Sequence, residues 1–472
     1  MISRSIARSL TAAALFGVIL PVSSPTMCAQ ELNQDQVTRI LQRLDALEQQ
    51  NRELLSEIRS LREEFAKGSA QTPPAAESAG VVASSAGATV AETAPTQEQV
   101  DVAEQQIRDL AQSRVESEHR DPVQLTGMLL FNGFHNGRYS GTAEDPTTAA
   151  LAAGQQTSGG TIRQTILGLK FESPEKIAGM EVSGSAYMDF FAGTGTSLNQ
   201  LMRLRVASVN FAWNNTTITF AQDKPIFAPR EPDSLAQVGV SPLTGSGNLW
   251  LWGPQARIEQ RFQFGETAGL TAQAGVYQTS ERANVPSEYT TQAGASRPSL
   301  EGRFVFWKQA GGDARFEIAP GFHFSDSHVA GFVIPSRIVS LDWRVPMGKK
   351  FELTGTVFHG ENLGVVGGLQ QGIAVNSWDV LHAVRGSGGW AQLKYTATPR
   401  LTFDLYGGQE NDLNRDLARG GIAQNQTYAA NVIYRVMSNV LASFEYSYLR
   451  STYIGSGVRS NPHYDVAFAY LF

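Results

Sequence analysis

The chain has 472 residues, with 38 Lys or Arg against 44 Asp or Glu, a formal net charge of -6. This acidic balance argues against a nucleic-acid-binding protein, and a single cysteine excludes a disulfide framework or a thiolate metal site. Charged residues are only 17%, below the roughly 25% typical of soluble domains, and no apolar run of about 18 residues follows the N-terminal region. These features exclude a helical membrane protein but leave a membrane β-barrel possible.

Residues 1–29 have the parts of a secretory signal peptide. Arg4 and Arg8 precede an apolar stretch, and small and turn-forming residues follow up to Ala29. We therefore expect cleavage after Ala29. A lipoprotein acylation site at Cys28 is the alternative, but the residues beside this cysteine fit such a motif poorly. Cleavage after Ala29 leaves a mature chain without cysteine, which suits an exported protein.

Residues 30–67 carry a heptad pattern. Its a and d positions are Val37, Ile40, Leu44, Leu47, Asn51, Leu54, Ile58, Leu61 and Phe65. The pattern and its flanking charges predict an α-helical coiled coil in a parallel homo-oligomer. An amphipathic helix packed on a soluble core is the alternative. Asn51 favours a dimer, whereas apolar e positions favour three strands, so the seam leaves the number of helices open.

Two shorter segments separate this helix from the rest of the chain. Residues 68–96 are rich in Ala, Pro and Ser and contain no aromatic side chain. Such a segment buries too little apolar surface to fold, so it is predicted to be a linker. Residues 97–121 show apolar residues at helical spacing. They predict a short helical segment, which forms either a second part of the stalk or a plug-like contact.

From residue 122 to 472 the pattern changes to strict alternation. In the final segment Tyr464, Val466, Phe468 and Tyr470 share one face, whereas Asp465 lies on the other. The same alternation recurs throughout the second half of the chain. Apolar outer faces with polar inner faces predict an all-β transmembrane barrel around a wet lumen. A secreted β-sandwich would show polar outer faces instead, and is not favoured.

We predict about sixteen antiparallel strands. They cover approximately residues 123–134, 162–173, 180–191, 201–213, 216–222, 254–264, 268–279, 299–308, 313–324, 336–346, 350–359, 387–397, 400–409, 425–436, 440–450 and 463–472. The connections are expected to alternate strictly between short and long, the long ones including about 135–161, 223–253, 361–386 and 451–462. Short periplasmic turns, long extracellular loops and an even strand count are typical of outer-membrane barrels. Both barrel ends would then lie in the periplasm, together with the stalk.

A signal peptide, a coiled coil, an Ala/Pro linker and a barrel ending in Phe472 resemble the trimeric outer-membrane porins with coiled-coil stalks. Residues 222–229, followed by residues 253–257, are similar to the dicarboxylate (DcaP-like) porins. The resemblance implies a homotrimer in the outer membrane of a Gram-negative bacterium, in contact with lipid, that imports small anionic solutes. It also implies that Phe472 is a signal for the barrel assembly machinery. No cofactor, metal or nucleic-acid partner is expected.

The resemblance further implies that the third long loop folds inward and narrows the channel, with Lys224, Arg230, Glu231 and Asp233 near the constriction. Independently, arginines two residues apart on neighbouring strands share a face, and a charge facing lipid would cost about 2–4 kcal/mol. We hypothesise a basic ladder that attracts carboxylates, formed by Arg203, Arg205, Lys224, Arg230, Arg257 and Arg261. The alternative is a paired lining, because many acidic residues are predicted to face the lumen as well.

The sequence therefore predicts a passive channel for small, anionic solutes. The alternative is a mainly structural barrel anchor, whose coiled coil links or spaces the outer membrane and the cell wall. An enzyme is not predicted, because neither G-x-S-x-G nor H-E-x-x-H occurs in the chain. His323 and His328 lie at a strand end and loop rather than on one helix face, so they do not nominate a metal site.

Overall fold

The computed structural model describes residues 123–192, 200–281, 289–311, 314–369, 371–375 and 380–472. The predicted signal peptide, coiled coil with its nine oligomerisation positions, linker and short helical segment all lie outside the described residues. In the described ranges, every helix is too short or too polar to cross a membrane.

The described chain consists mainly of antiparallel strands. The strands are β1 (Val123–Asn136), β2 (Thr157–Thr161), β3 (Ile166–Glu172), β4 (Glu181–Ala192), β5 (Leu201–Ala212), β6 (Thr216–Asp223), β7 (Gly253–Phe264), β8 (Ala268–Thr279), β9 (Arg297–Gly311), β10 (Ala314–Val329), β11 (Phe332–Met347), β12 (Phe351–Glu361), β13 (Ile373–Val375), β14 (Leu381–Ala383), β15 (Arg385–Thr398), β16 (Leu401–Asp412), β17 (Ile422–Met437), β18 (Val440–Tyr453) and β19 (Gly457–Leu471). The helical elements are α1 (Thr290–Ala293) and two 3₁₀ turns, Leu363–Val366 and Asn414–Asp416.

The large sheet closes on itself. β1 pairs with β19, from Met128 opposite Leu471 to Asn136 opposite His463. β2 and β3 both pair with β1 and act as one barrel strand in two pieces, whereas β13 and β14 form a separate hairpin. Since every other strand pairs antiparallel with its neighbours, the closed barrel has sixteen strands. The predicted sixteen-stranded antiparallel barrel is confirmed.

Side chains alternate between the two faces of the wall, as the sequence pattern predicts. On β19 Val466 and Phe468 are 42% and 54% exposed, whereas Asp465, whose side chain lies on the opposite face, is 3% exposed. Glu445 on β18 and Asp404 on β16 are buried in the same way. The outer face is therefore mainly apolar and the inner face is polar, which is the arrangement expected for a barrel in lipid.

The predicted strict alternation of short and long connections is wrong at two places. Only Ala330 and Gly331 join β10 to β11, and residues 454–456 join β18 to β19 instead of the expected loop 451–462. The residues predicted to form that loop continue the ladder up to Tyr453 opposite Gly457. The sequence did not predict this extension of the strands because these residues are mainly polar. A strand that extends beyond the apolar band does not require outward-facing apolar residues.

The third long connection, residues 224–252, folds into the barrel and is called loop 3. Its side chains form the interior packing. Phe227 and Leu249 pack with wall residues such as Ile338, Leu243 packs with Trp390, and Leu235 packs with the wall at β1 and β19. Burying one large apolar side chain contributes about 1.5–3 kcal/mol, so these contacts hold the loop inside. The hydrophobic core of this barrel thus lies between loop 3 and the wall.

Candidate functional site

Hydrogen bonds fix loop 3 to widely separated strands. At its start, Ile226 N donates to Glu301 Oε2 of β9 over 2.6 Å, and Phe227 O accepts from Ser340 Oγ of β11 at 2.9 Å. Further along, Ser234 Oγ donates to Glu445 Oε2 of β18 over 2.6 Å. The loop therefore crosses the barrel from one side to the other and does not stay beside β6 and β7, the strands that it connects.

This crossing covers a group of carboxylates on the wall. Asp404, Glu445 and Asp465 lie on β16, β18 and β19, and each is at most 3% exposed. Their oxygens accept hydrogen bonds from neighbouring polar groups: Tyr406 Oη donates to Glu445 Oε1 (2.6 Å) and Asn132 Nδ2 to Asp465 Oδ1 (3.0 Å). These carboxylates consequently lie behind loop 3 and do not face the open lumen.

On the opposite side, against β3 to β10, loop 3 leaves two cavities. The L3 cavity, of about 470 Å³, lies between loop 3 and the upper parts of β5 to β7. The turn cavity, of about 650 Å³, extends to the turn at Asn214 and Asn215. Both share Pro229, Gln273 and Arg303 as lining residues, so they adjoin along the wall and mark a path towards the turn end of the barrel.

Three predicted cations line the L3 cavity, and each has a carboxylate partner. Arg205 Nη1 lies 3.1 Å from Asp189 Oδ2, and Arg257 Nη1 lies 3.1 Å from Asp223 Oδ2. Lys224 Nζ lies 2.6 Å from Glu231 Oε1. All three side chains remain between 13% and 24% exposed, so they keep unoccupied donor capacity towards the lumen.

Arg203 lies beside this cavity and is not part of its lining. Asp189, which is fully buried, accepts from Arg203 Nε at 2.8 Å and also pairs with Arg205. The guanidinium groups of both arginines lie over the ring of Trp252, 5.2 Å and 4.6 Å from its centroid. One carboxylate and one indole thus hold two arginines in fixed positions at the cavity wall.

The turn cavity has its own cluster of arginines. Fully buried Asp342 accepts from Arg303 at 2.7 Å to each oxygen and from Arg230 Nε at 2.6 Å. Arg230 of loop 3 also pairs with Glu317. Because Asp342 joins Arg303 of the wall to Arg230 of loop 3, this network fixes the boundary between the two cavities.

The lining of the two cavities has an excess of positive charge. Seven cations and four anions line them together, an excess of three. Adding Arg203 and the buried partners Asp189 and Asp342 still leaves an excess of two positive charges. The paired-lining alternative is therefore right about individual contacts, since each of the six predicted cations has an acidic partner. The sum of the charges nevertheless remains basic.

The predicted site residues occupy different places. Five line a cavity: Arg205, Lys224 and Arg257 the L3 cavity, and Arg230 and Arg261 the turn cavity. Arg203 is the sixth, and it shares Asp189 and Trp252 with Arg205. Asp233, which the resemblance placed near the constriction, faces the other wall, where its Oδ2 lies 2.5 Å from Lys394 Nζ.

Sequence reasoning missed Arg303, Arg315 and Trp252. The two arginines could have been found, because each lies two residues from an acidic residue, Glu301 or Glu317, that the alternation places inside. Trp252 lies in a loop and carries no such signal. Among the described residues no cluster of His, Cys, Asp and Glu has the arrangement of a metal site, and His323 is instead buried against Glu301, 2.8 Å away.

Comparisons with known proteins agree with this architecture. The sequence matches no protein-family model and no curated protein. Among solved structures, the outer membrane channel DcaP of Acinetobacter baumannii is similar with a TM-score of 0.60 at 15% identity, covering 74% of this chain and 97% of that one. OprB of Pseudomonas putida is similar with a TM-score of 0.50 at 9% identity, covering 77% and 97%. The resemblance expected from the sequence is therefore confirmed at the level of fold, and the described chain is a sixteen-stranded barrel of the porin type.

Proposed function

We propose that the protein is an outer-membrane channel for passive uptake of small solutes, with a preference for anions such as carboxylates. The observation that carries this proposal is the unequal use of charge inside the barrel. Loop 3 covers the acidic wall, and the open cavities are lined by an excess of positive charge. Solutes on this path meet guanidinium groups, which stay charged and bind carboxylates in a planar, bidentate manner.

Reversal potentials across planar bilayers in a KCl gradient test this proposal. We expect the wild-type channel to prefer chloride, because clefts lined by one sign of charge concentrate the opposite ion. The double variant R205A/R257A removes two cations from the L3 cavity and is expected to lose most of this preference. A cation-selective wild-type channel would refute the proposal. R337A is the control, since Arg337 lies on the outer face and is 61% exposed.

The same proposal includes the outer membrane as location, a periplasmic N-terminal stalk and a homotrimer. Two features of the outer surface support an oligomer. Every outward-facing tyrosine in the described strands lies on β15 to β19, where such residues suit a membrane interface. The described strands β1 to β12 have none, and within them the wall from β3 to β6 carries an apolar groove of about 610 Å³ flanked by the small residues Ala186 and Ala207. A second copy of the chain is the occupant we propose for this groove.

The structural-anchor alternative depends on the coiled coil, whose residues lie outside the described ranges. Conductance decides between the two functions. Stepwise openings in planar bilayers support the channel, whereas a barrel that conducts nothing would leave the anchor as the remaining function. The two cavities beside loop 3 favour the channel.

A further inference from the structure

The L3 cavity contains one carboxylate that belongs to loop 3 itself. Glu231 Oε1 lies 2.6 Å from Lys224 Nζ, and Glu231 Oε2 accepts a hydrogen bond from Ser241 Oγ. The other acidic lining residue, Asp223, belongs to β6 and is paired with Arg257. Glu231 is thus the acid in the position that an anionic solute would reach.

The two donors that hold Glu231 are themselves held in place. Ser241 is 3% exposed, and its Oγ accepts from Asn248 Nδ2 at 2.9 Å. Asn248 is fixed in turn by donating to Pro242 O over 2.7 Å. Because the Ser241 hydroxyl already accepts from Asn248, its own proton points to Glu231. A cationic amine and an oriented hydroxyl therefore converge on one carboxylate, which is the chemistry of a carboxylate-binding site.

We infer that Glu231 is an internal competitor for this site. In the empty channel its carboxylate occupies the position between Lys224 and Ser241, and the carboxylate of a passing solute displaces it. This inference rests on the proposed function, since it assumes that anions enter the L3 cavity. The consequence is weak, short-lived binding, and a solute that must leave again on the far side benefits from such binding.

The exposure of Glu231 separates this role from a purely structural one. Asp189 and Asp342, which hold arginines in position, are 0% exposed. Glu231 is 36% exposed in an open cavity. A partly exposed ion pair is screened by water and therefore weak enough for a solute carboxylate to replace it.

The test is block of ion current by butyrate, with butyramide as the neutral analogue of the same size. In E231Q we expect the half-blocking concentration of butyrate to fall about threefold, the change expected when a partly exposed competing charge is removed. Butyramide should be unaffected. E259Q is the matched control, because it removes an equal charge from the pair with Arg261 in the turn cavity, 2.9 Å apart. It should shift the reversal potential but leave butyrate block unchanged.

Equal butyrate block in wild type and E231Q, including no block in either, would overturn the inference, as would an equal effect of E231Q and E259Q. E231A provides a second variant should E231Q assemble poorly: it also removes the competing carboxylate, leaves Lys224 and Ser241 unchanged, and is expected to strengthen butyrate block in the same direction. The wild-type reversal potential is measured in the same bilayers. It tests the proposed function separately, so failure of one is distinguishable from failure of the other.

Discussion

At the scale of single residues, the interior of this barrel uses carboxylates in two ways. Asp189 and Asp342 are buried, and each holds two arginines. Asp145 of loop 1 (residues 137–156) has no cationic partner: Oδ1 accepts from Gln237 of loop 3, and Oδ2 has no hydrogen-bond partner among the described residues. Enclosure of this carboxylate raises its pKa well above the usual range, an effect that neighbouring carboxylates reinforce. The two uses thus differ in whether a cation lies beside the buried carboxylate.

Asp145 leads to a pH-dependent prediction. A buried carboxyl group with a raised pKa carries no desolvated charge while it is protonated. The free energy of unfolding is therefore higher at low pH, and it falls as the pH rises from the ordinary pKa of aspartate towards the raised pKa. We expect the unfolding temperature of wild type, measured by heat-modifiability in detergent, to fall between pH 5 and pH 8. In D145N this fall should be smaller, and the difference between the two proteins should be on the order of 1 kcal/mol in unfolding free energy.

The control for this prediction has the opposite sign. The hydrogen bond from Arg385 lowers the pKa of Asp416 in loop 7 (residues 413–421). Its contribution is therefore present above the ordinary pKa of aspartate and lost as pH falls. D416N should destabilise the barrel at pH 8 and have little effect near pH 3. Equal pH profiles for wild type and D145N would contradict the assignment.

At the scale of elements, loop 3 is the part whose position matters most. The resemblance predicted that loop 3 folds inward. It did not predict where the loop contacts the wall, because those contacts involve residues far away in the chain. Asp233 N donates to Gln392 Oε1 (2.7 Å), and Asn425 Nδ2 donates to Gly245 O (3.0 Å). Such contacts join residues more than 150 positions apart, and no local pattern contains them.

Gly247 of loop 3 lies in very close contact with the barrel wall. Its φ is +100°, and a Cβ added there would lie 2.3 Å from Gly389 O and 2.6 Å from Gln409 O, both on the wall. G247A should therefore lift the loop from β15 and β16, at a cost of about 1–3 kcal/mol for the backbone strain alone. We expect single-channel currents that flicker between levels, recorded in planar bilayers.

Gly420 provides the matched control for this variant. Its φ is +86°, but no atom lies within 4 Å of an added Cβ. G420A introduces similar backbone strain without a collision, so its currents should stay as steady as those of wild type. If G247A and G420A gave the same recordings, contact of loop 3 with the wall would not be what keeps the single-channel current steady.

At the scale of the whole molecule, the proposed homotrimer places the wall from β3 to β6 against a second copy. A207W adds a bulky apolar side chain that lipid would tolerate but a packed interface would not. We expect A207W to lower the temperature at which the oligomer dissociates in detergent by several degrees, while the barrel itself remains folded. A430W is the control, because Ala430 is exposed on β17 beside outward tyrosines. Equal dissociation temperatures for A207W and A430W would place the interface elsewhere.

The sequence by itself determined which face of each strand meets lipid and which meets the lumen. Successive side chains of a strand point to opposite faces, so alternating apolar and charged residues identify the outer and the inner face. The tertiary structure alone decided which inner charges stay accessible. Because loop 3 folds across the lumen, Arg230 pairs with Asp342, which is 112 positions away in the chain. Glu445 likewise accepts a hydrogen bond from Ser234, which is 211 positions away. Electrostatic partners depend on distance in space, and only the folded loop brings these residues together.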